Sequence, residues 1–301
     1  MIEEKLKFNV KNLKKNQMVL DIETTGLHRS NDRLVLLGMI YYERDSFYIH
    51  QIFAENDKEE IKLLKFYREI SKDKILITYN GEVFDIIFLN NRLRYYNIEP
   101  DYFIENIDLY KKVHEYLKFF DFSSMKLKYI EKLVGINRKE PNRKDTFSIL
   151  NDEKTIRENP KPIIIHNRND LIATDALINI DDVLDDKLSF YSENLKTKIT
   201  LKDVLIDKNT IYFIYNAKDN LLNSFYEYED YSIRINNKKI TIKSKAFYGK
   251  IAHNSYGYVI KNIFNIKDDE NLNIDCRFLV VKDKNIFNYK NINSFARKIL
   301  N

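Results

Sequence analysis

Two acidic residues stand near the end of a predicted strand in the first part of the chain. Residues 18–23 (Met-Val-Leu-Asp-Ile-Glu) predict a buried strand, and Thr24-Thr25-Gly26 then signals a turn. Asp21 and Glu23 are two positions apart, so their side chains point to the same face of that strand. α/β sheets place their ligands at this end of a strand, whereas a strand that simply emerges into water is the alternative interpretation.

Two further groups of polar residues follow comparable elements. Asp85 begins a predicted helix directly after a predicted strand over 74–79, where a carboxylate can also simply compensate the helix dipole. His166 and Asp170 are four residues apart in the first turns of a long predicted helix. They share one face of that helix, as the members of an ordinary surface pair would also do.

Four carboxylates that converge suit hard divalent cations, which prefer oxygen ligands. Two Mg²⁺ or Mn²⁺ ions about 4 Å apart can hold both oxygens of an in-line phosphodiester displacement. A histidine beside the attacking water can accept its proton, because its ordinary pKa lies near neutrality. These residue types therefore predict a two-metal site for phosphodiester chemistry.

The remaining pattern predicts the elements that hold these side chains. Strands over 33–42 and 46–54 follow the first strand with no room for a helix between them, which predicts an antiparallel meander. Helices and strands then alternate before helices dominate, an order typical of an α/β domain with a mixed sheet over residues 1–190. The later elements expected are helices over 57–71 and 84–96, a strand over 103–108, and helices over 109–119, 123–134, 146–158 and 162–187. Asp57 is the expected N-cap of the first of these helices, and Ser123 and Gly135 are the expected cap and stop of the helix over 123–134.

The pattern changes after about residue 195. Apolar and polar residues alternate in segments over 198–205, 209–215, 221–229, 231–236 and 238–246. Asn236-Asn237 is the expected hairpin turn between the last two segments. We therefore expect a small antiparallel β-domain over residues 195–301, with a helix near 292–300.

This C-terminal part is basic and rich in aromatic residues. Residues 191–301 carry 19 basic and 12 acidic side chains, and residues 231–260 carry six basic ones and no acidic one. Basic residues hold phosphates and aromatic rings stack on bases, so this composition suits a surface for single-stranded nucleic acid. A β-domain with its aromatic side chains in the core and its lysines in water is the alternative. The interleaved aromatic residues are Tyr231, Phe247, Tyr248, Tyr256 and Tyr258.

Composition excludes several classes of protein. Of the 301 residues, 44% are hydrophobic and 32% are charged, which is typical of a globular protein. The single cysteine, Cys276, excludes an intrachain disulfide and disfavours a cysteine-based zinc site. No apolar run approaches the roughly 18 residues that span a bilayer, and the first residues are charged and contain no apolar signal core. We expect a soluble cytoplasmic protein that does not act at a membrane.

The acidic groups lie in three segments that together resemble a known family. Three segments resemble, in order, the three exonuclease motifs of the DEDD superfamily. They are residues 20–27 (Leu-Asp-Ile-Glu-Thr-Thr-Gly-Leu), 77–85 (Ile-Thr-Tyr-Asn-Gly-Glu-Val-Phe-Asp) and 166–170 (His-Asn-Arg-Asn-Asp). The resemblance covers roughly residues 17–185, and it is closest to the YprB-type ribonuclease-H-like exonuclease domains of bacteria. It implies a ribonuclease-H-like mixed sheet flanked by helices.

The resemblance assigns roles to individual residues. It implies that His166 orients or deprotonates the attacking water and that the loop after the first-motif strand lies against the 3′-terminal nucleotide. The implied ligands of two divalent cations, Mg²⁺ or Mn²⁺, are Asp21, Glu23, Asp85 and Asp170. The implied substrate contacts are Thr24, Thr25, Gly26, Leu27, Asn80 and Phe84.

The spacing of His166 and the position of Asp108 distinguish these two residues from the rest of the site. His166 and Asp170 are separated by three residues, which is the spacing of the family's tyrosine branch rather than of its histidine branch. On a helix, a shift of one residue rotates the side chain by about 100°. Asp108 ends a predicted strand, where we expect it to contact substrate or to support the site, with an N-cap role for the following helix as the alternative.

The activity that the resemblance implies is a two-metal-ion 3′→5′ exonuclease. Its expected partners are the 3′ ends of single-stranded DNA or RNA, from which it would release nucleoside 5′-monophosphates. Neither DNA nor RNA is favoured, and no protein partner is indicated. Two alternatives stay open: a non-catalytic nucleic-acid-binding protein on the same scaffold, and an endonuclease of the same fold that cuts RNA–DNA hybrids or branched substrates.

Overall fold

The computed structural model describes residues 1–28, 31–100, 103–136, 138, 153–252, 255–268 and 274–301, with the backbone alone over 153–155. Within these residues the chain divides into two units. Unit 1 consists of Met1–His114 and Ser123–Ile180, and unit 2 consists of Glu115–Phe122 and Asp181–Asn301. Residues 146–152 of the helix expected over 146–158 lie outside the described residues.

Unit 1 is built on a mixed sheet. Its strands are β1 (Ile2–Lys7), β2 (Gln17–Thr24), β3 (Leu34–Glu43), β4 (Ser46–Phe53), β5 (Ile75–Thr78) and β6 (Glu105–Asp108). They lie in the order β1-β4-β3-β2-β5-β6. The four strands from β1 to β2 are antiparallel, whereas β5 runs parallel to β2 and β6 runs parallel to β5. This confirms the meander and the mixed sheet, and it adds the edge strand β1, which the sequence pattern did not predict.

Helices of unit 1 pack on both faces of this sheet. They are α1 (Glu60–Ser71), α2 (Asp85–Tyr95), α3 (Leu109–His114), α4 (Leu127–Ile130), α5 (Glu153–Glu158) and α6 (Lys161–Leu177), with 3₁₀ turns at Asp57–Glu59 and Glu131–Val134. Leu63 of α1 and Leu89 of α2 pack with Leu37 of β3, whereas Ile163 of α6 packs with Leu36 on the opposite face of that strand. β3 is therefore buried on both faces, which explains its nearly continuous apolar sequence.

Three predicted caps and ends are corrected or confirmed by the structure. The 3₁₀ turn before α1 is capped by Asn56, whose side chain accepts the N–H of Lys58 at 3.1 Å, so Asp57 is not the N-cap. α4 begins only at Leu127 and has no side-chain cap, so the prediction of Ser123 as its cap was wrong. Gly135 does end this segment, in the left-handed conformation with φ of 77°.

The long helix expected over 162–187 is broken after Leu177. The segment before β2 ends it, because the side-chain amide of Asn12 donates to the carbonyl oxygens of Asp175 (3.3 Å) and Ala176 (3.0 Å). The buried carboxylate of Asp175 accepts the backbone N–H groups of Lys11, Asn12 and Leu13 in return. A contact between residues about 160 positions apart therefore decides where the helix ends.

Unit 2 consists mainly of antiparallel strands. The strands are β7 (Ser189–Ser192), β8 (Thr197–Asp207), β9 (Thr210–Ala217), β10 (Ser224–Glu227), β11 (Tyr231–Asn236), β12 (Lys239–Lys245), β13 (Phe247–Ala252), β14 (Ser255–Lys261), β15 (Phe278–Asp283) and β16 (Ile286–Phe287), with helices α7 (Ile180–Lys187) and α8 (Tyr289–Leu300). One sheet has the order β10-β11-β12-β9-β8-β7 and the other β13-β14-β15-β16. The β11–β12 hairpin turns at Asn237, with φ of 54°, and Lys238. Asn236 ends β11 and pairs with Lys239, so the turn lies one residue later than expected.

The apolar core of unit 2 includes residues of the segment 115–122. Phe213 and Ile242 from the first sheet, Val281 from the second and Phe295 from α8 share one apolar cluster. Phe119 lies in the same cluster, and the hydroxyl of Tyr116 donates to Asp185 at 2.9 Å. Residues 115–122 therefore belong to unit 2, and the helix expected over 109–119 ends at His114. In the described residues no helix is long and apolar enough to cross a membrane.

Candidate active site

The C-terminal end of β2 brings the first two acidic residues to one edge of the sheet. Asp21 and Glu23 are partly buried and alternate with the buried Ile22. Since β5 runs parallel to β2, the loop that follows β5 leaves the sheet at the same edge. Asp85 at the start of α2 is thereby brought beside β2.

Asp85 is fixed directly to that strand. Its Oδ1 accepts the backbone N–H of Ile22 at 3.1 Å, between the two acidic positions of β2. The side chain is buried, with 8% of its surface exposed. Asp85 therefore faces the other carboxylates rather than the solvent around a helix end.

Helix α6 supplies a fourth acidic residue and a buried amide. Asn167, fully buried, donates from Nδ2 to Oδ2 of Asp21 at 2.7 Å and to the Asp21 carbonyl at 3.1 Å. Its Oδ1 accepts from Nε2 of Gln51 at 2.8 Å. Gly38 allows this approach, because a Cβ there would lie 2.0 Å from Oδ1 of Asn167. Asp21, Gly38 and Gln51 are directly paired across β2, β3 and β4, so Asn167 lies over one row of the sheet.

The carboxylates act on one another electrostatically. Burial, together with the carboxylates of Asp170, Glu23 and Asp85, raises the pKa of Asp21 well above its usual range. Burial and the carboxylates of Asp170 and Asp85 raise the pKa of Glu23 in the same way. Burial is also the main cause that raises the pKa of Asp85 to about 7. The edge of the sheet is thus a place where additional positive charge would be stabilised.

Asp170 interacts with an arginine that the sequence pattern did not indicate. Its Oδ1 accepts from Nη1 of Arg138, and its Oδ2 lies 3.6 Å from Nε2 of His166. Arg138 also donates from Nε to the buried carboxylate of Glu131 at 2.8 Å. On the opposite side of the imidazole, Nδ1 of His166 is buried without a hydrogen-bond partner among the described residues.

The chemistry of this donor set fits divalent cations, although the side chains are held by other partners. Asp21 accepts from Asn167, Asp85 from Ile22 and Asp170 from Arg138. In this arrangement no three His, Cys, Asp or Glu side chains of the described ranges come together in a group that could hold a metal ion. Carboxylate oxygens are nevertheless the ligands that Mg²⁺ and Mn²⁺ prefer.

The loop after β2 is organised around Asp32. Thr25 donates from Oγ1 to Asp32 at 3.3 Å, and the N–H of His28 donates to the same carboxylate at 2.6 Å. A Cβ at Gly26 would lie 2.5 Å from an oxygen of Asp32, so a larger residue at this position would displace that carboxylate. Thr24 closes the turn through its hydroxyl, which donates to the carbonyl of Gly26 at 2.6 Å. This turn leaves Leu27 81% exposed.

The loop after β5 is held by Asp108. The buried carboxylate of Asp108 accepts the N–H groups of Asn80 at 2.7 Å, Glu82 at 3.1 Å and Tyr110 at 3.0 Å. The bond to Tyr110 is the helix cap considered for Asp108, while its role as a substrate contact stays a prediction. Asn80 adopts a left-handed conformation with φ of 66°.

Phe84 is the remaining predicted contact residue. It is partly buried and packs against the core of unit 1, with its ring centroid 5.7 Å from that of Phe88. The structure therefore brings the acidic residues of all three motifs into electrostatic contact. It places Phe84 and Asp108 as supports of the loops around them.

Four residues that matter to this geometry were missed by sequence reasoning. Gly38 and Gln51 carry no local signal, because their importance depends on the pairing of β2, β3 and β4. Arg138 is separated by more than 30 positions from its partner Asp170. Asn167 stands inside the third motif, and its place on the buried face of an amphipathic helix was the one available signal.

Comparisons with known proteins place the chain in a family. The family model RNase_H_2, of the RNase H superfamily, matches residues 18–181, which is more than half of the chain. The DNA polymerase III PolC-type of Ureaplasma parvum is 32% identical over 107 residues. That alignment spans 28% of this chain and 7% of the polymerase, so this chain corresponds to a small part of its curated relative.

Solved structures of exonuclease I show a weaker similarity. The complex of the Escherichia coli enzyme with a dT13 oligonucleotide is 11% identical, with a TM-score of 0.41 over 67% of this chain and 55% of that one. The zinc-bound complex of the same enzyme with single-stranded DNA is 13% identical, with a TM-score of 0.37 over 68% and 54% of the two chains. The family match agrees with the resemblance indicated by the three motifs and with the mixed sheet of unit 1. The chain belongs to the RNase_H_2 family of the RNase H superfamily.

Proposed function

We propose that this chain is a metal-dependent 3′→5′ exonuclease that hydrolyses single-stranded DNA or RNA from its 3′ end. The observation that carries this proposal is the position of Asp21, Glu23, Asp85 and Asp170 near one sheet edge, where burial and the carboxylates of Asp170 and Asp85 raise the pKa of Asp21 and Glu23. The family match and the relatives that are exonucleases or DNA polymerases support it. Buried carboxylates close to one another lower the stability of the folded chain unless positive charge compensates them. Such groups are found mainly at functional sites, where bound cations supply that charge.

The four carboxylates would hold two divalent cations, Mg²⁺ or Mn²⁺. Bound cations supply the activation of water and the stabilisation of the leaving 3′ oxygen. To bind one of them, Asp170 would exchange its contact with Arg138 for the cation. Asn167, which donates to Oδ2 of Asp21, would keep that carboxylate oriented while its other oxygen binds.

His166 would accept the proton of the attacking water. Its Nε2 lies 3.6 Å from Oδ2 of Asp170, one of the carboxylates that would hold a cation, and imidazole is a common general base in catalysis. The spacing of three residues between the two side chains does not prevent this contact on α6. The scissile phosphate would thus lie between the metal ligands and His166.

The loop after β2 would receive the terminal nucleotide. Leu27 is 81% exposed on a turn that Asp32 holds in place, so its side chain can pack against a base. Thr24, Thr25, Gly26, Asn80 and Phe84 form or support the surrounding loops and stay predicted contacts. Cellular location in the cytoplasm also stays a prediction.

The test is cleavage of 5′-labelled single-stranded DNA and of the equivalent RNA, each with Mg²⁺ or Mn²⁺. We expect a ladder that shortens from the 3′ end with the unchanged chain, and a loss of at least about 100-fold in rate with Asp21→Asn. Asp73→Asn is the matched control, because Asp73 is an exposed acidic residue in a turn of the same unit. Equal cleavage by the Asp21→Asn variant would contradict the proposal.

The same substrates separate the alternative functions. A 3′-phosphorothioate or inverted 3′ nucleotide stops an exonuclease, whereas an endonuclease still cuts the strand internally. Binding without cleavage of any single strand, hybrid or branched substrate would instead favour a non-catalytic binding protein. DNA and RNA are compared at equal length and salt concentration, since affinity for a polyanion depends strongly on salt.

A further inference from the structure

The hairpin of β13 and β14 displays tyrosine and lysine side chains on one face. The register pairs Tyr248 with Tyr258 and Lys250 with Tyr256. Directly paired residues of an antiparallel hairpin, and residues two apart on one strand, share a face. Tyr248, Lys250, Tyr256 and Tyr258 therefore form one surface, which we call the tyrosine face.

The rings of the tyrosine face are exposed far more than packing requires. Tyr248 is 65% exposed and Tyr256 is 55% exposed. Their ring centroids lie 6.0 Å apart with an angle of 27° between the planes, and the rings of Tyr248 and Tyr258 lie 5.0 Å apart. Tyr258 also packs against the core of unit 2. Neighbouring aromatic rings that stay in water indicate a binding surface rather than a core.

Two lysines lie beside these rings. Lys250 is exposed on the same face, and Lys282 of β15 is paired with Tyr258 from the other side. The nearest acidic residue of β15, Asp283, is paired with Gly257 and therefore points to the opposite face. Flat rings combined with ammonium groups suit a ligand that carries stacked bases and phosphates.

The structure also decides which aromatic residues of this region belong to that surface. Tyr231 packs against Phe264 and Phe295, with centroid distances of 6.2 and 6.1 Å, so it serves the core. Phe247 lies on the other face of the hairpin, 5.9 Å from Phe278. Only part of the aromatic set that the sequence pattern singled out is thus placed to meet a ligand.

We propose that the tyrosine face binds single-stranded nucleic acid, with bases stacked on Tyr248 and Tyr256 and a phosphate held by Lys250. This inference rests on the proposed function, in that its ligand is the strand that the nuclease would degrade. It adds a binding surface within unit 2, outside residues 18–181 that match the family model.

The test is fluorescence anisotropy with 5′-fluorescein dT12 and U12 and the full chain carrying Asp21→Asn, in EDTA. We expect Tyr248→Ala and Tyr256→Ala each to raise Kd at least about fivefold, because a base stacked on an aromatic ring contributes that much to affinity. Tyr248→Phe should retain near-normal affinity, since it keeps the ring. Lys250→Ala should lower the slope of log K against log salt by about 0.7, the value for one phosphate contact on a single strand.

Tyr191→Ala is the matched control. Tyr191 lies in unit 2, is 53% exposed and is paired with Lys198, so it offers a tyrosine and a lysine on a different strand. We expect this variant to bind the oligonucleotides with the same Kd as the Asp21→Asn chain that keeps Tyr191. Thermal melting of each variant, followed by circular dichroism, verifies that the hairpin stays folded.

The outcomes separate this proposal from the proposed function. An unchanged Kd in the Tyr248→Ala/Tyr256→Ala double variant, or an equal loss in Tyr191→Ala, would overturn the tyrosine face. Absence of oligonucleotide binding would overturn it too and would assign the exposed rings to a protein partner. Failure of the nuclease itself has a different readout, because Asp21→Asn would then cleave as fast as the unchanged chain.

Discussion

Asp85 shows at the level of one residue why the candidate site is costly without cations. Its carboxylate is buried beside Asp170 and Asp108, and these surroundings raise its pKa to about 7. The backbone N–H groups of Ile22 and of Asp85 itself lower the pKa but do not compensate for burial. A protonated Asp85 is therefore the favoured state in the cation-free chain below neutral pH.

This predicts an unusual dependence of stability on pH. The folded-state pKa of Asp85 lies above the ordinary value of 3.8, so the folded chain binds the proton more tightly than the unfolded chain does. The free energy of unfolding should then fall as pH rises from about 4 to about 7, by roughly 2 kcal/mol between pH 5.5 and pH 8. Urea denaturation in EDTA at both values measures it.

Asp85→Asn is the informative variant for this prediction. Its amide oxygen can still accept the N–H of Ile22 but carries no charge, so the contribution of Asp85 to the decrease, roughly 2 kcal/mol between pH 5.5 and pH 8, should disappear. The raised pKa values of Asp21 and Glu23 account for any decrease that remains. Equal decreases in the variant and the unchanged chain would assign the effect to other groups.

At the level of secondary-structure elements, the packing of α6 on the sheet depends on one small residue. Gly38 in β3 leaves room for the buried amide of Asn167, which joins α6 to Asp21 of β2 and Gln51 of β4. The same helix carries His166 and Asp170. The position of α6 therefore sets the distance between the third motif and the first.

We expect Gly38→Ala to lower the free energy of unfolding by about 1–3 kcal/mol, because the added Cβ would overlap Oδ1 of Asn167. Asn167→Ala should also be destabilising, since it removes the donor to Asp21 and the acceptor for Gln51. The double variant should lose less than the sum of the two, which urea denaturation of all four chains would show. Additive losses would mean that the two residues do not interact in this way.

At the scale of the whole molecule, the two units have separate apolar cores. The core of unit 1 surrounds β2 and β3, whereas that of unit 2 combines its sheets with α8 and Phe119. The four candidate metal ligands all lie in unit 1. Cations that bind them should therefore stabilise unit 1 directly.

Calorimetry with and without Mn²⁺ tests this division. We expect two melting transitions. Mn²⁺ at a concentration 100 times its Kd should shift only the transition of unit 1 to higher temperature, which corresponds to an increase of about 2.7 kcal/mol in its free energy of unfolding. Asp21→Asn should abolish most of this shift. Mn²⁺ that stabilises both transitions equally, or neither, would contradict a cation site confined to unit 1.

Much of the fold was predictable from sequence because its signals are local. The apolar run of β2, the alternation in β8 to β12 and the turn at Asn237 each depend on neighbouring residues. The mixed sheet followed from the order of these elements. Errors occurred where a distant contact overrides a local preference, as Asn12 does when it captures the carbonyl groups at the end of α6.

The sequence by itself indicated the family and predicted the acidic residues of the candidate site, because the three motifs are short local patterns at strand and helix ends. Only the tertiary structure decided what surrounds them. Strand pairing aligned Asp21, Gly38 and Gln51 beneath Asn167, and a long-range ion pair brought Arg138 to Asp170. Burial likewise separated the exposed Tyr248 from the core residue Tyr231. These features depend on contacts between residues that are far apart in the sequence, and local sequence patterns do not specify such contacts.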